Sequence, residues 1–151
     1  MAAKTLRLDH FLPYRLSFTT GLLSDSIAQS YEALFGINIP EWRVIAWVAE
    51  QGSITQHHIC AQTRMDKVTV SRAAIALTER GLLQRLPNPE DRRSHLLALT
   101  AKGQLLHAAI APKALELESR VFSHFSEAEV DAFLSMLRRI DAIVLGEERD
   151  G

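Results

Sequence analysis

Two clusters of cationic and hydroxyl side chains stand out, and neither has the makeup of a bond-breaking site. The first is Lys67-Val68-Thr69-Val70-Ser71-Arg72, and the second is Asp91-Arg92-Arg93. An arginine presents a planar fork of donors that fits the acceptor edge of a guanine. Lysine and hydroxyl groups bond phosphate oxygens, and valine methyls pack on thymine methyls. An arginine at a loop tip can also enter a narrow minor groove, where negative potential is concentrated. In the second cluster Asp91 is placed to hold the Arg93 guanidinium by a bidentate pair.

The elements that must carry these groups follow from their neighbours. Asp66 precedes the first cluster and is a strong N-cap, since its carboxylate can accept from an amide left free in the first turn. Val70, Ala73, Ala74 and Leu77 recur at i, i+3, i+4 and i+7, which makes one apolar helical face. At 100° per residue Val68, Arg72, Ile75 and Glu79 lie on the opposite face. Gly81 stands where the helix must end. Read alone, this is an amphipathic helix with a solvated polar side. The second cluster lies between two apolar runs, Leu82–Leu86 and Ser94–Leu99, joined by the turn-forming Pro87-Asn88-Pro89-Glu90-Asp91. Read alone, it is a charged surface turn. Together they predict a mostly α chain with a small β-hairpin wing. That is a winged helix-turn-helix, and helices at both termini that carry more apolar surface than such a module needs add a helical dimerisation region.

Charge supports the pairing. The chain has 151 residues, 47% of them hydrophobic, enough for a real core, and its net charge of −1 gives no sign of an anionic partner. The distribution does. Residues 1–63 carry 4 basic and 5 acidic side chains, residues 64–102 carry 8 and 4, and residues 103–151 carry 5 and 9. Positive charge is thus concentrated where the two clusters sit. The single cysteine excludes an intrachain disulfide framework. With no signal peptide and no apolar run long enough to span a bilayer, a cytoplasmic chain without a membrane partner is expected.

Upstream, Leu8 to Phe35 reads as one long helix with Phe11, Tyr14, Phe18, Leu22, Ile27, Tyr31 and Leu34 as its apolar stripe. Gly36 ends it, and Pro40 opens a second helix that stops at Gly52. Thr55 caps a short third helix containing Cys60, whose thiol has no adjacent cation and suits core packing. His57 and His58 point about 100° apart and cannot chelate one ion, so no metal and no cofactor is expected. Downstream, Thr100 caps a helix running to about His124, which Pro112 must kink or divide. Ser126-Glu127-Ala128-Glu129 is a capping box that opens the last helix. That helix carries Val130, Phe133, Leu137, Ile140 and Val144 on one stripe, a surface that a second copy of the chain would bury. Its tail from Glu147 is expected to fray.

The motifs resemble the MarR-type winged-helix transcription regulators. Asp91-Arg92-Arg93-Ser94 followed by Leu97-Ala98-Leu99-Thr100-Ala101-Lys102-Gly103 is similar to that family's wing and the helix start after it. Thr69-Val70-Ser71-Arg72 and Glu79-Arg80-Gly81-Leu82-Leu83 are similar to its recognition helix and exit. Arg64 stands where many members have glycine. The resemblance implies a homodimer on a pseudo-palindromic, double-stranded operator, usually a repressor, with Lys67, Val68, Thr69, Ser71, Arg72, Asp91, Arg92 and Arg93 at the DNA. It also implies one domain, with residues 37–100 as the DNA-binding lobe and 1–36 with 101–147 as the dimerisation lobe. A small-molecule effector would sit among His10, Phe11, Tyr14, Arg15, Trp42, Ile45 and His107. Arg15 with aromatic walls would suit an aromatic acid or its coenzyme A thioester, while core packing of Tyr14 and Trp42 is the plainer alternative. No phosphate-binding loop, nucleophile elbow or carboxylate pair marks an enzyme. The competing readings are a helical protein-interaction module without DNA binding and a cysteine redox-sensing regulator acting through Cys60.

Overall fold

The computed structural model describes residues 3–150. After a 3-10 turn at Leu8–His10 the elements are α1 (Leu12–Phe35), α2 (Ile39–Gln51), α3 (Gln56–Thr63), α4 (Lys67–Glu79), β1 (Leu83–Pro87), β2 (His95–Leu99), α5 (Ala101–Phe122) and α6 (Glu127–Asp150). The chain divides into two compact units, Met1–Pro112 and Lys113–Gly151. The first therefore takes in α1 and the first half of α5 beside the helix-turn-helix and wing.

The expected first helix is two pieces. Phe11 is extended and Pro13 lies in the first turn of α1. Proline has no amide to donate to Asp9, and its ring would crowd that carbonyl, so a helix begun at Leu8 cannot pass through it. At the start of a new helix the missing donor costs nothing. Gly36 closes α1 in the left-handed region at φ 64°. Asn38 and Glu41 form a reciprocal capping box for α2, with bonds of 2.8 and 2.9 Å. That box explains why a glutamate is buried there.

The core joins Val44, Ile45 and Val48 of α2, Ile54, Ile59 of α3, the Val70-Ala73-Ala74-Leu77 face of α4, Leu82 and Leu83, and Leu97 and Leu99 of β2. Each large aliphatic chain buried here contributes about 1.5–3 kcal/mol. β1 and β2 pair antiparallel, Leu83 opposite Leu99 and Pro87 opposite His95, so both strands begin one residue later than expected. Ile54 and Leu97 exchange two backbone bonds of 3.1 and 2.8 Å, which ties the wing to the α2–α3 connector.

Thr100 caps α5, accepting from the Gly103 amide at 3.1 Å. The α5 helix neither breaks nor restarts at Pro112 and ends at Phe122 rather than near His124. In the second unit Ser126 and Glu129 close the expected capping box, at 3.0 and 3.1 Å. The α6 helix holds to Asp150, so residues 147–150 are helical where fraying was expected, and Gly151 lies outside the described residues. No helix among the described residues is long and apolar enough to cross a membrane.

Candidate nucleic-acid interface

The α4 helix is built to present one side. Asp66 accepts from the Thr69 amide at 2.7 Å. That amide, helped by the Thr69 hydroxyl and more weakly by Arg72, holds the Asp66 carboxyl below its usual range. Val70, Ala73, Ala74 and Leu77 are buried while Lys67, Val68, Arg72 and Ile75 are exposed, Val68 at 57%. Thr69 and Ser71 are half-buried at the edge. The exit is a Schellman closure: the Leu82 amide donates to Leu77 at 2.9 Å and the Gly81 amide to Thr78 at 3.0 Å, with Gly81 at φ 73°. Before α4 the turn passes through Arg64 at φ 58°, the only non-glycine residue of positive φ among those described. A side chain in that region costs on the order of 1 kcal/mol, which is why glycine is common in such turns.

The wing tip differs from expectation at Asp91. No ion pair joins Asp91 to Arg92 or Arg93 among the described residues. The Asp91 carboxylate instead accepts the Arg93 backbone amide at 2.9 Å, an Asx turn. The loop is braced further by Asn88, which accepts from the Glu90 amide at 3.1 Å and donates to the Ser94 hydroxyl at 2.9 Å. Both guanidiniums are thus left exposed and free to meet an anion. The sequence shows the arginines, and Asn88 as a turn former, but not the bond from Asn88 to Ser94 that closes the loop. Arg85 is also exposed on β1 and was not singled out.

A cleft of about 340 Å³ runs between α4 and the start of α2, bordered by Thr69, Arg72 and Ala73 on one side and Asn38, Pro40 and Glu41 on the other.

The residues expected around an effector fall into separate groups. Trp42 is half-buried, with its ring edge-on to buried Tyr31 at 5.6 Å and stacked on His107 at 5.9 Å. Burial pushes the Tyr31 phenol up. His107 also lines a cavity of about 260 Å³ with Val48, Ala49, Gly52, Leu99 and Gln104. Tyr14 and Arg15 lie on the first turns of α1, where the Arg15 guanidinium stands 5.3 Å over Phe18 and Tyr14 packs on the same ring. His10 meets Asp9 at 3.7 Å in the 3-10 turn, and Phe11 beside it is exposed. Ile45 is fully buried in the core and borders neither cavity. Cys60 is half-buried and packs against the core.

A model of the MarR family matches residues 35–94, a span running from the end of α1 through the wing tip. Over that span the chain is similar to the MarR family of transcription regulators. An uncharacterized HTH-type transcriptional regulator of Bacillus subtilis, YwoH, is 29% identical over 131 residues, 87% of this chain and 94% of that one. A MarR/EmrR family transcriptional regulator from Acinetobacter sp. ADP1 superposes with a TM-score of 0.85 at 26% identity, covering 92% of this chain and 98% of its own. CouR from Rhodococcus jostii RHA1, solved with p-coumaroyl-CoA bound, matches in fold with a TM-score of 0.81 at 23% identity, covering 90% and 95%.

In α6 no residue is buried. Phe133, Ile140 and Val144 are exposed at 43–47%, and Val130 and Leu137 are half-buried.

Proposed function

We propose that this chain is a MarR-family regulator, a cytoplasmic DNA-binding repressor and not an enzyme, acting as a homodimer on a pseudo-palindromic operator. The single observation that supports the DNA reading is α4. It is capped at both ends and locked by a fully buried face, and it presents Lys67, Val68 and Arg72 within the only strongly positive third of the sequence. In this reading Arg72 reads a base edge, Lys67, Thr69 and Ser71 hold phosphates, and Val68 touches a thymine methyl. Arg92 and Arg93 reach the backbone and minor groove, with Asp91 shaping the loop that carries them. Residues 37–100 serve as the DNA-binding lobe, and α6, through Val130, Phe133, Leu137, Ile140 and Val144, as part of the dimer contact with the other terminal helices.

The test is selection of a binding site from random duplexes, followed by anisotropy. The wild type should give a two-fold symmetric site, and Arg72→Ala should lose about 1–3 kcal/mol and its preference at one position per half-site. Binding that is equally strong to all sequences, or an unchanged Arg72→Ala, would sink the assignment.

For the effector, the Tyr31–Trp42–His107 ring ladder beside the 260 Å³ cavity supports an aromatic compound. CouR shows that this fold can hold an aromatic thioester. Tyr14 and Arg15 would meet such a ligand from α1. An aromatic acid or its coenzyme A thioester that raises the melting temperature and weakens operator binding is the expected result, since linkage couples the two. A broad panel in which no compound does both refutes the effector reading and leaves the DNA reading standing.

A further inference from the structure

Arg80 occupies a position that neither the DNA reading nor the effector reading uses. It is the C-cap of α4, and its guanidinium reaches across to the end of α1. Nη1 donates to the Gly36 carbonyl at 2.9 Å and Nη2 to the Phe35 carbonyl at 3.4 Å. Among the described residues these are the only hydrogen bonds joining α1 to α4 or its exit. Two helix C-termini converge here, each with carbonyls left over and a negative dipole end. The Arg80 guanidinium answers the α1 end, with a fork that spans two adjacent carbonyls.

The backbone of the same exit is held from the opposite side. The Arg80 carbonyl accepts from Lys102 Nζ at 3.0 Å, the Gly81 carbonyl from the Thr100 hydroxyl at 2.6 Å, and the Leu82 carbonyl from the Thr100 amide at 3.1 Å. Three successive carbonyls are thus fixed to the start of α5. The end of α4 is clamped between α5, through its backbone, and α1, through one side chain. The α5 side cannot shift freely, because a Cβ at Gly103 would already overlap the Leu82 carbonyl. The α1 side rests on a single exposed guanidinium and is the adjustable one.

We propose that Arg80 is a positioning residue that couples α1 to the recognition helix and sets the angle of α4 without itself touching DNA. A movement of α1, whatever produces it, reaches α4 through this side chain. The size of the effect is bounded, because a contact cannot bias an equilibrium by more than its own net worth. An exposed charge-assisted pair of bonds limits the change to about tenfold per half-site.

Two measurements on Arg80→Ala and Arg80→Lys test it, each with the full-length protein. In hydrogen exchange, Arg80→Ala should speed the amides of residues 36–38 and 77–82 by threefold or more. Those of Leu97 and Leu99 in the wing should be unchanged, and Arg80→Lys should fall between, since it keeps the charge and loses the fork. Acceleration throughout the core, or none at residues 36–38, overturns the coupling. In anisotropy, Arg80→Ala should bind the selected duplex three- to tenfold more weakly with the salt slope of the wild type. A slope reduced by about one per half-site would make Arg80 a phosphate contact, and an unchanged affinity would leave it without a role at α4; either overturns the proposal. The affinity arm rests on the DNA reading, but exchange does not. A wild type that binds no duplex therefore refutes the DNA reading, and the exchange result still decides the coupling.

Discussion

Replacing Asp91 separates two physical roles for one carboxylate. If its charge held the Arg93 guanidinium, Asp91→Ala and Asp91→Asn would behave alike. The structure gives it a different task, accepting the Arg93 amide at 2.9 Å within a loop also closed by Asn88 and Ser94. An exposed bond of that kind is worth about 0.5–1.5 kcal/mol net. Asp91→Ala loses it, loosens the loop that aims two arginines, and should weaken operator binding about two- to tenfold per half-site. Acting against this is the removal of a negative charge near phosphates. At about 8 Å in bulk water that repulsion is on the order of 0.5 kcal/mol, and at physiological salt a distance of roughly one Debye length screens most of it.

The loop effect therefore wins near 0.15 M salt, and its margin narrows as salt is lowered. Asp91→Asn keeps an oxygen acceptor in the same place and drops only the charge, so it should bind as tightly as the wild type at high salt and up to about threefold tighter at low salt. Anisotropy on one operator across a salt series reads all three proteins. Asp91→Asn as weak as Asp91→Ala would mean that the charge does the holding. Asp91→Ala tighter than the wild type at every salt concentration would mean that the wing does not touch DNA.

Gly103→Ala should destabilise the first unit by about 3 kcal/mol or more, since its Cβ would overlap the backbone oxygen of Leu82 and crowd Leu99; urea unfolding measures it, and a loss below 1 kcal/mol would contradict the packing at the α5 start. Leu137→Asp places a charge in the apolar stripe of α6 and should break the proposed homodimer at a cost of several kcal/mol, seen as a monomer by sedimentation at micromolar concentration where the wild type should run as a dimer; a monomeric wild type would refute the interface. The capping carboxyls of Asp66 and Glu129 are held below their ordinary 3.8 and 4.5, first by the amides of Thr69 and Ser126. A depressed folded-state value stabilises above the unfolded one and is lost as pH falls through the folded one. The double variant Asp66→Asn with Glu129→Gln should therefore flatten the acid limb of stability below about pH 4.5, followed by circular dichroism against pH; an unchanged limb would deny the caps that role.

What the sequence disclosed was mostly local. A cap and its acceptor are three residues apart, so Asp66, Thr55, Thr100 and the Ser126–Glu129 box are visible as spacing, and the bonds form where the spacing puts them. The same rule applied to Asn38 and Glu41 would have found the α2 capping box. The buried face of α4 was legible because one helical period sorts its residues. Contacts between distant segments were not. Nothing in the spacing of residues 36 and 80 announces that a guanidinium joins them, and nothing at 42 and 107 announces a stacked pair. Asp91 failed for a subtler reason. A charge pair and an Asx turn draw on the same residues, and only geometry decides between a guanidinium and an amide two residues on.

Exposed apolar side chains occur on both α4 and α6, and their neighbours argue for different partners. On α4 Val68 and Ile75 stand singly among Lys67, Arg72, Glu79 and two hydroxyls. An isolated methyl surface inside a cationic field can touch a thymine methyl but cannot hold a protein partner, which needs a contiguous apolar centre. On α6 Phe133, Leu134, Ile140, Ile143 and Val144 follow one another at helical spacing, all exposed, in a segment that carries net negative charge. A nucleic acid would be repelled there, whereas a second apolar stripe would not. Val68→Ser should therefore weaken operator binding, most at a position occupied by thymine, and leave assembly untouched. Ile140→Ser should weaken assembly, and DNA binding only through it: raising the protein concentration should restore operator binding to Ile140→Ser and not to Val68→Ser. Rescue of both by concentration, or of neither, would break the assignment of the two surfaces to two different partners.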